Sequence, residues 1–158
     1  MGGGTFAWAP GAVDLVAGEL DSVAREVTHG HVSGTADPLY RKAIRASMGA
    51  VFKLPYVHAP HWPAELDELA SAGFELHALH LQGSVAHTEA LRPGDGLRKP
   101  IAVMAGSEYG GLSEVAAARA HHRVRIPMSG AMDSTLDSLN VNVATAIVLQ
   151  RVFELSGE

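Results

Sequence analysis

The chain has no cysteine, which excludes a disulfide framework, a thiolate zinc site and a cysteine nucleophile. Asparagine is nearly missing too, occurring only at Asn140 and Asn142. No apolar run approaches the about eighteen residues that suggest a membrane-spanning helix. The first five residues, Met1 to Thr5, have neither the basic start nor the apolar stretch of a secretory signal. A cytoplasmic protein with no membrane partner is therefore expected. Basic charge is in short supply, with 12 Lys and Arg against 17 Asp and Glu and a formal net charge of −5. Such a balance argues against a free-standing nucleic-acid binder, so any RNA contact must come from a local patch or another chain.

What the sequence does have is apolar bulk: 47% of its 158 residues are hydrophobic, enough for one packed domain. From Thr35 onward, short apolar runs alternate with helical patterns, the signature of an α/β sheet with crossover helices. Asp37-Pro38 reads as the N-cap and first residue of a helix that Gly49 stops. Strands are expected at Val51 to Leu54, Phe74 to Leu81, Ile101 to Ala105 and Arg123 to Met128. Helices are expected at Ala64 to Ala72, Leu112 to Ala120 and Leu139 to Leu155, and the last is so broadly apolar that it needs cover on more than one side. Pro93 to Gly96 reads as a polar turn. Before Thr35 the pattern changes. Ala12 to Val27 suits an amphipathic helix, and no convincing strand precedes it.

The run Ile101 to Ala105 leads directly into Gly106-Ser107-Glu108-Tyr109-Gly110-Gly111-Leu112-Ser113. A glycine-rich turn after a buried strand places backbone N–H groups at the carboxyl edge of the sheet, where ligands bind. The turn lacks the lysine of a phosphate-binding loop and the spacing of a dinucleotide fingerprint, which disfavours nucleoside triphosphates and NAD. A Gly-x-Ser-x-Gly nucleophile elbow is also missing, so nothing favours a hydrolase. Nine histidines invite a metal reading at His58-x-x-His61, His77-x-x-His80 and His121-His122. A three-residue spacing on a strand puts His77 and His80 on opposite faces, and no carboxylate joins either spaced pair at a recognised ligand spacing. No metal is expected.

Three segments in order resemble the SpoU/TrmH-type RNA 2′-O-ribose methyltransferases of the SPOUT superfamily. Ile101 to Ser113 resembles their second motif. Ile126-Pro127-Met128, followed by Asp137-Ser138-Leu139-Asn140-Val141-Asn142-Val143-Ala144, resembles the third. Asp37-Pro38 and Arg45 to Ala50 resemble the stretch that precedes them. The resemblance implies an α/β fold, with a mostly parallel sheet flanked by helices and a C-terminal deep trefoil knot. It implies S-adenosyl-L-methionine as cofactor, rRNA or tRNA as substrate, and a homodimer packed through the C-terminal helix. On this reading residues 35–158 form the knotted methyl-donor-binding domain, and residues 1–34 are a divergent N-terminal segment of that domain.

Carried over residue by residue, Gly106, Ile126 and Leu139 fall where the family holds the donor, and Met104, Ala105 and Met128 are expected to line the same pocket. Glu108, Ser138 and Asn140 fall at positions tied to catalysis or to organising the site. Arg41 and Arg45 are expected to face RNA phosphates. Read singly, Ile126 and Leu139 also suit plain core positions, Glu108 a solvated loop charge, and Ser138 a helix N-cap. Two departures from the family pattern stand out. The first motif, Asn-x-Gly-x-x-x-Arg, is missing, leaving Arg25, Arg41 and Arg45 as the available substitutes for its arginine. Thr135-Leu136-Asp137-Ser138 looks like an inserted near-copy of its neighbours, so Ser134 and Ser138 compete as the third-motif serine. The alternative function is a non-catalytic dimeric module that binds S-adenosylmethionine or RNA without turnover.

Overall fold

A strand buried on both faces needs helices above and below it, and this requirement organises the protein. The computed structural model describes residues 4–8, 28–32, 38–53, 56–59, 61–92, 99–106, 111–128 and 138–156. In chain order the elements are β1 (Gly4–Trp8), β2 (Thr28–Val32), α1 (Arg41–Ala46), a 3-10 turn (Ala50–Phe52), β3 (Tyr56–Ala59), α2 (Ala64–Ser71) and β4 (Glu75–Leu79). There follow β5 (Val85–Ala86), α3 (His87–Ala90), β6 (Ile101–Gly106), α4 (Glu114–Ala117), β7 (His122–Arg125) and α5 (Val141–Ser156). Among the described residues the strands form one sheet in the order β3-β2-β1-β6-β4-β7-β5.

Six strands run the same way. The pairings β2–β3, β4–β6, β4–β7 and β5–β7 are parallel, whereas β1 is antiparallel to both β2 and β6. The sheet is thus mostly parallel and flanked by helices, as the alternating pattern implies. Residues 1–34 contribute two strands that sequence reading missed, and β1 lies in the interior of the sheet rather than at its edge. The amphipathic helix expected at Ala12 to Val27, the Asp37 cap and the turn at Pro93 to Gly96 lie outside the described residues.

Side-chain alternation along β6 explains the two-sided core. Ala102 and Met104 pack with Leu76 and Ala78 of β4, Leu66 and Leu69 of α2, and Ala116 and Ala117 of α4. Ile101 and Val103 point the other way and meet Val148 and Val152 of α5, with Leu79 and Ile126 against them. Met104, expected in the ligand pocket, is instead fully buried in the first cluster. Its parity along the strand dictates this, because it shares a face with Ala102.

Helix ends follow local chemistry. Glu65 and Asp67 sit in the first turn of α2, where carboxylates oppose the positive end of the helix dipole. Gly73, at φ 93°, ends the helix as Phe74 N–H donates to Leu69 O at 3.0 Å, an arrangement that favours glycine. The expected strand at Val51 to Leu54 is instead the 3-10 turn. Positive φ at Met48 and Gly49 redirects the chain there, and Lys53 N–H donates to Ala50 O at 2.9 Å. The strand begins at Tyr56 instead. Strand β7 stops at Arg125, short of the expected Met128, because Pro127 has no N–H to continue a ladder.

Leu66 is fully buried between α2 and the sheet. Replacing it with alanine is expected to lower unfolding free energy by about 2–5 kcal/mol. Leu81→Ala, at a largely exposed position, should stay within about 0.5 kcal/mol. Urea denaturation of the two variants checks the contrast.

Candidate functional site

At the carboxyl ends of β4, β6 and β7 the strands stop at different points and leave a cavity of about 950 Å³. Strand β6 contributes Ala105 and Gly106. The segment following β6 contributes Gly111, Leu112, Ser113 and Glu114, and the end of β7 contributes Arg125, Ile126 and Met128. Ser138, Leu139 and Asn140, with Val141 and Ala144 of α5, form the facing wall. Leu79 to Gln82, at the end of β4, complete the lining. Ligands of open α/β sheets bind at such carboxyl edges, and mostly apolar walls with a few polar fixings are the usual composition of a small-molecule site.

The cavity depends on a close backbone approach. A Cβ on Gly106 would overlap the backbone of Gly111 and Leu112, so only glycine lets the chain return across the end of β6. Gly111 itself sits at φ 61°, a left-handed conformation that glycine adopts without strain. Directly after this return, Ser113 Oγ accepts the N–H of Ala116 at 3.3 Å and caps α4.

Asn140 has a comparable role on the opposite wall. Its Oδ1 accepts the N–H of Asn142 at 2.9 Å, and its backbone carbonyl accepts from Ala144 N–H at 3.0 Å. Asn140 is therefore the N-cap of α5, the role that sequence reading offered to Ser138. Ser138 is exposed two residues earlier on the cavity wall.

Of the residues expected at the donor pocket, Ala105, Gly106, Ile126, Met128 and Leu139 are brought together here. Ser138 and Asn140 join them, whereas Met104 faces the core. Glu108, Ser134 and the near-copy at Thr135 to Asp137 lie outside the described residues. Arg41 and Arg45 are exposed on α1 and are not part of the lining.

Sequence reading missed the polar rim. His80 Nδ1 accepts the N–H of Gln82 at 3.1 Å, which places the ring hydrogen of the neutral form on Nε2. That nitrogen lies 4.0 Å from Glu114 Oε1, while Arg123 Nη2 donates to Glu114 Oε2 at 3.3 Å. Position alone could have flagged His80 and Gln82, which directly follow a strand ending at the ligand edge. The expectation that His77 and His80 diverge agrees with this placement: His77 is buried within β4 and His80 reaches the rim.

A model described as the SpoU rRNA Methylase family matches residues 23–150. The chain belongs to the SpoU rRNA methylase family. An uncharacterized tRNA/rRNA methyltransferase of Mycobacterium tuberculosis is 42% identical over 118 residues, covering 74% of this chain and 38% of the relative. The 23S rRNA (uridine(2479)-2'-O)-methyltransferase of Streptomyces viridochromogenes is 27% identical over 147 residues, covering 91% of this chain and 49% of the relative. Among solved structures, the AdoMet-bound rRNA methyltransferase of Sinorhizobium meliloti superposes with a TM-score of 0.65 at 32% identity, covering 79% of this chain and 44% of that one. This SpoU chain thus spans less than half the length of these three relatives. The family match begins after β1, so the reversed strand lies outside it.

Adding a methyl at Gly106 tests the backbone crossing. Gly106→Ala should cost about 1–3 kcal/mol, as overpacking does. Asn140→Ala should cost about 1 kcal/mol through loss of the α5 cap. Thermal and chemical denaturation measure both.

Proposed function

We propose that this chain is the donor-binding domain of an S-adenosylmethionine-dependent RNA methyltransferase that methylates a ribose 2′-hydroxyl, with rRNA as the leading substrate class. One observation carries the reading: the segments resembling the second and third family motifs line a single cavity. The relatives' names supply the reaction class, and the AdoMet-bound Sinorhizobium structure supports the donor.

The residues present suit an adenosyl group. Leu112, Ile126 and Leu139 offer apolar walls, and the crossing at Gly106 exposes main-chain groups that need no side chain to present them. When bound, the donor supplies an electrophilic methyl. The protein's contribution is to hold both partners in line and to exclude competing water. Glu108, Ser138 and Asn140 are proposed to organise the acceptor side, with Asn140 Oδ1 fixed by its cap. Arg41 and Arg45, exposed on α1, are proposed to meet RNA phosphates, where each cation adds salt-sensitive affinity.

We further propose that residues 35–158 form a trefoil-knotted unit that dimerises through α5. Val143 and Phe153 support the dimer, because both leave apolar surface exposed on a helix that buries Val148 and Val152 inward. A second reading, a binding module without turnover, is favoured by a specific observation. Strand β1 is antiparallel to β6, pairing Gly4 with Gly106 and Trp8 with Ala102. Its carboxyl end therefore lies away from the cavity edge, and it delivers no first-motif side chains there.

Calorimetric titration with S-adenosylmethionine should give one site per chain, and Leu139→Glu should weaken binding roughly tenfold or more, about 1.4 kcal/mol. No heat at millimolar donor rejects the reading. Transfer of tritiated methyl to total RNA marks an enzyme, while donor binding without incorporation marks the module. Light scattering at micromolar protein should report a dimer that Val143→Asp dissociates.

A further inference from the structure

A second cluster of chemically capable side chains sits toward the amino ends of β4 and β7, away from the cavity edge. Glu75 opens β4 and His77 follows two residues later, so both project from one face. His122 opens β7 and is the register partner of His77 across the parallel pair. Glu75 Oε1 lies 3.0 Å from His77 Nε2 and 3.1 Å from His122 Nε2. The two rings are tilted by 51° with centroids 4.9 Å apart. All three candidate ligand atoms fall within 4.8 Å of one another. Sequence reading rejected metal binding because it paired histidines by chain spacing. The carboxylate sits two residues before His77 on β4, and the third ligand, His122, comes from strand register, which spacing does not show.

We propose that Glu75, His77 and His122 form a binding site for a zinc-type divalent cation that ties β4 to β7. A tetrahedral ion held at about 2.0–2.1 Å by nitrogen and oxygen ligands separates those ligands by about 3.3 Å. The two carboxylate–imidazole separations need to widen by only a few tenths of an ångström. Two imidazoles and one carboxylate match the borderline-soft preference of zinc. Glu75 and His122 are about one-third exposed, so an ion has a route in and a water can complete the shell.

The burial of His77 is the independent indication. It is fully buried on a face otherwise formed by Leu79, Val103 and Val148. Histidine there has no packing advantage over an aliphatic residue. In the metal-free protein, Glu75 Oε1 faces both Nε2 atoms, so each neutral ring can place its hydrogen on Nε2. Coordination moves that hydrogen to Nδ1 on both rings and leaves one net positive charge at the site.

The test uses the full chain and zinc chloride alone, with calorimetry and thermal melting as readouts. One equivalent should bind and raise Tm. Glu75→Gln and His122→Gln should each weaken binding at least roughly tenfold and abolish the Tm rise. His80→Gln, at the cavity rim, should leave zinc binding unchanged. Cobalt substitution should give the intense visible absorption of a four-coordinate ion, lost in His122→Gln. Should Glu75→Gln fail to fold, the partly exposed His122→Gln still decides the matter. Absence of binding, or binding that survives both substitutions, overturns the proposal.

Discussion

The return of the backbone across Gly106 is the contact on which the site depends. Because a Cβ there would strike Gly111 and Leu112, these two residues lie directly against the end of β6. Leu112 and Ser113 then fall beside the ends of β4 and β7, and Ser113 starts α4. The opposite wall is fixed by a polar cap, Asn140 on Asn142, which positions Leu139 and Val141. One wall is thus set by the lack of a side chain and the other by a side-chain hydrogen bond. Neither requires a charged residue, consistent with a pocket for a ligand held mainly by main-chain groups.

The two faces of the sheet have different duties. Leu66, Leu69, Ala116 and Ala117 seal one face completely, and each buried leucine contributes about 1.5–3 kcal/mol. The α5 face is covered by Leu91, Val148 and Val152, with Leu149 and Leu155 against them, and it also carries the polar group of Glu75, His77 and His122. A charge-bearing cluster on this face suits a local tie between strands better than a role in chemistry. Along the strands it ends two residues before the cavity lining, about 7 Å away at roughly 3.3 Å per residue.

Legibility followed the range of the interactions involved. The uninterrupted apolar run at Ile101 identified β6 and Gly73 follows the expected end of α2, because each is a local constraint, whereas the stop that Pro127 imposes on β7 was overlooked. The motif resemblance pointed to Gly106, Ile126 and Leu139, and all three line one cavity. It misplaced Met104 because a motif ignores which face a residue occupies. Strands β1 and β2 were unreadable: Thr28-His-Gly-His-Val32 has little intrinsic strand character, and it is held by pairing with neighbours distant in sequence. The His80 and Glu114 rim was hidden for the same reason, since it exists only once β4 and α4 are adjacent.

The placement of β1 bears on how the chain reaches this state. Strand β6 pairs on one side with β4, about 25 residues earlier, and on the other with β1, about 100 residues earlier. Closing so long a loop is entropically costly before any contact rewards it. The β4–β6–β7 portion can therefore assemble first, leaving one flank of β6 with open backbone donors and acceptors until the amino-terminal segment arrives. During that interval the exposed flank is a template for another chain's strand, so kinetic vulnerability to aggregation is concentrated where a strand outside the family match must dock.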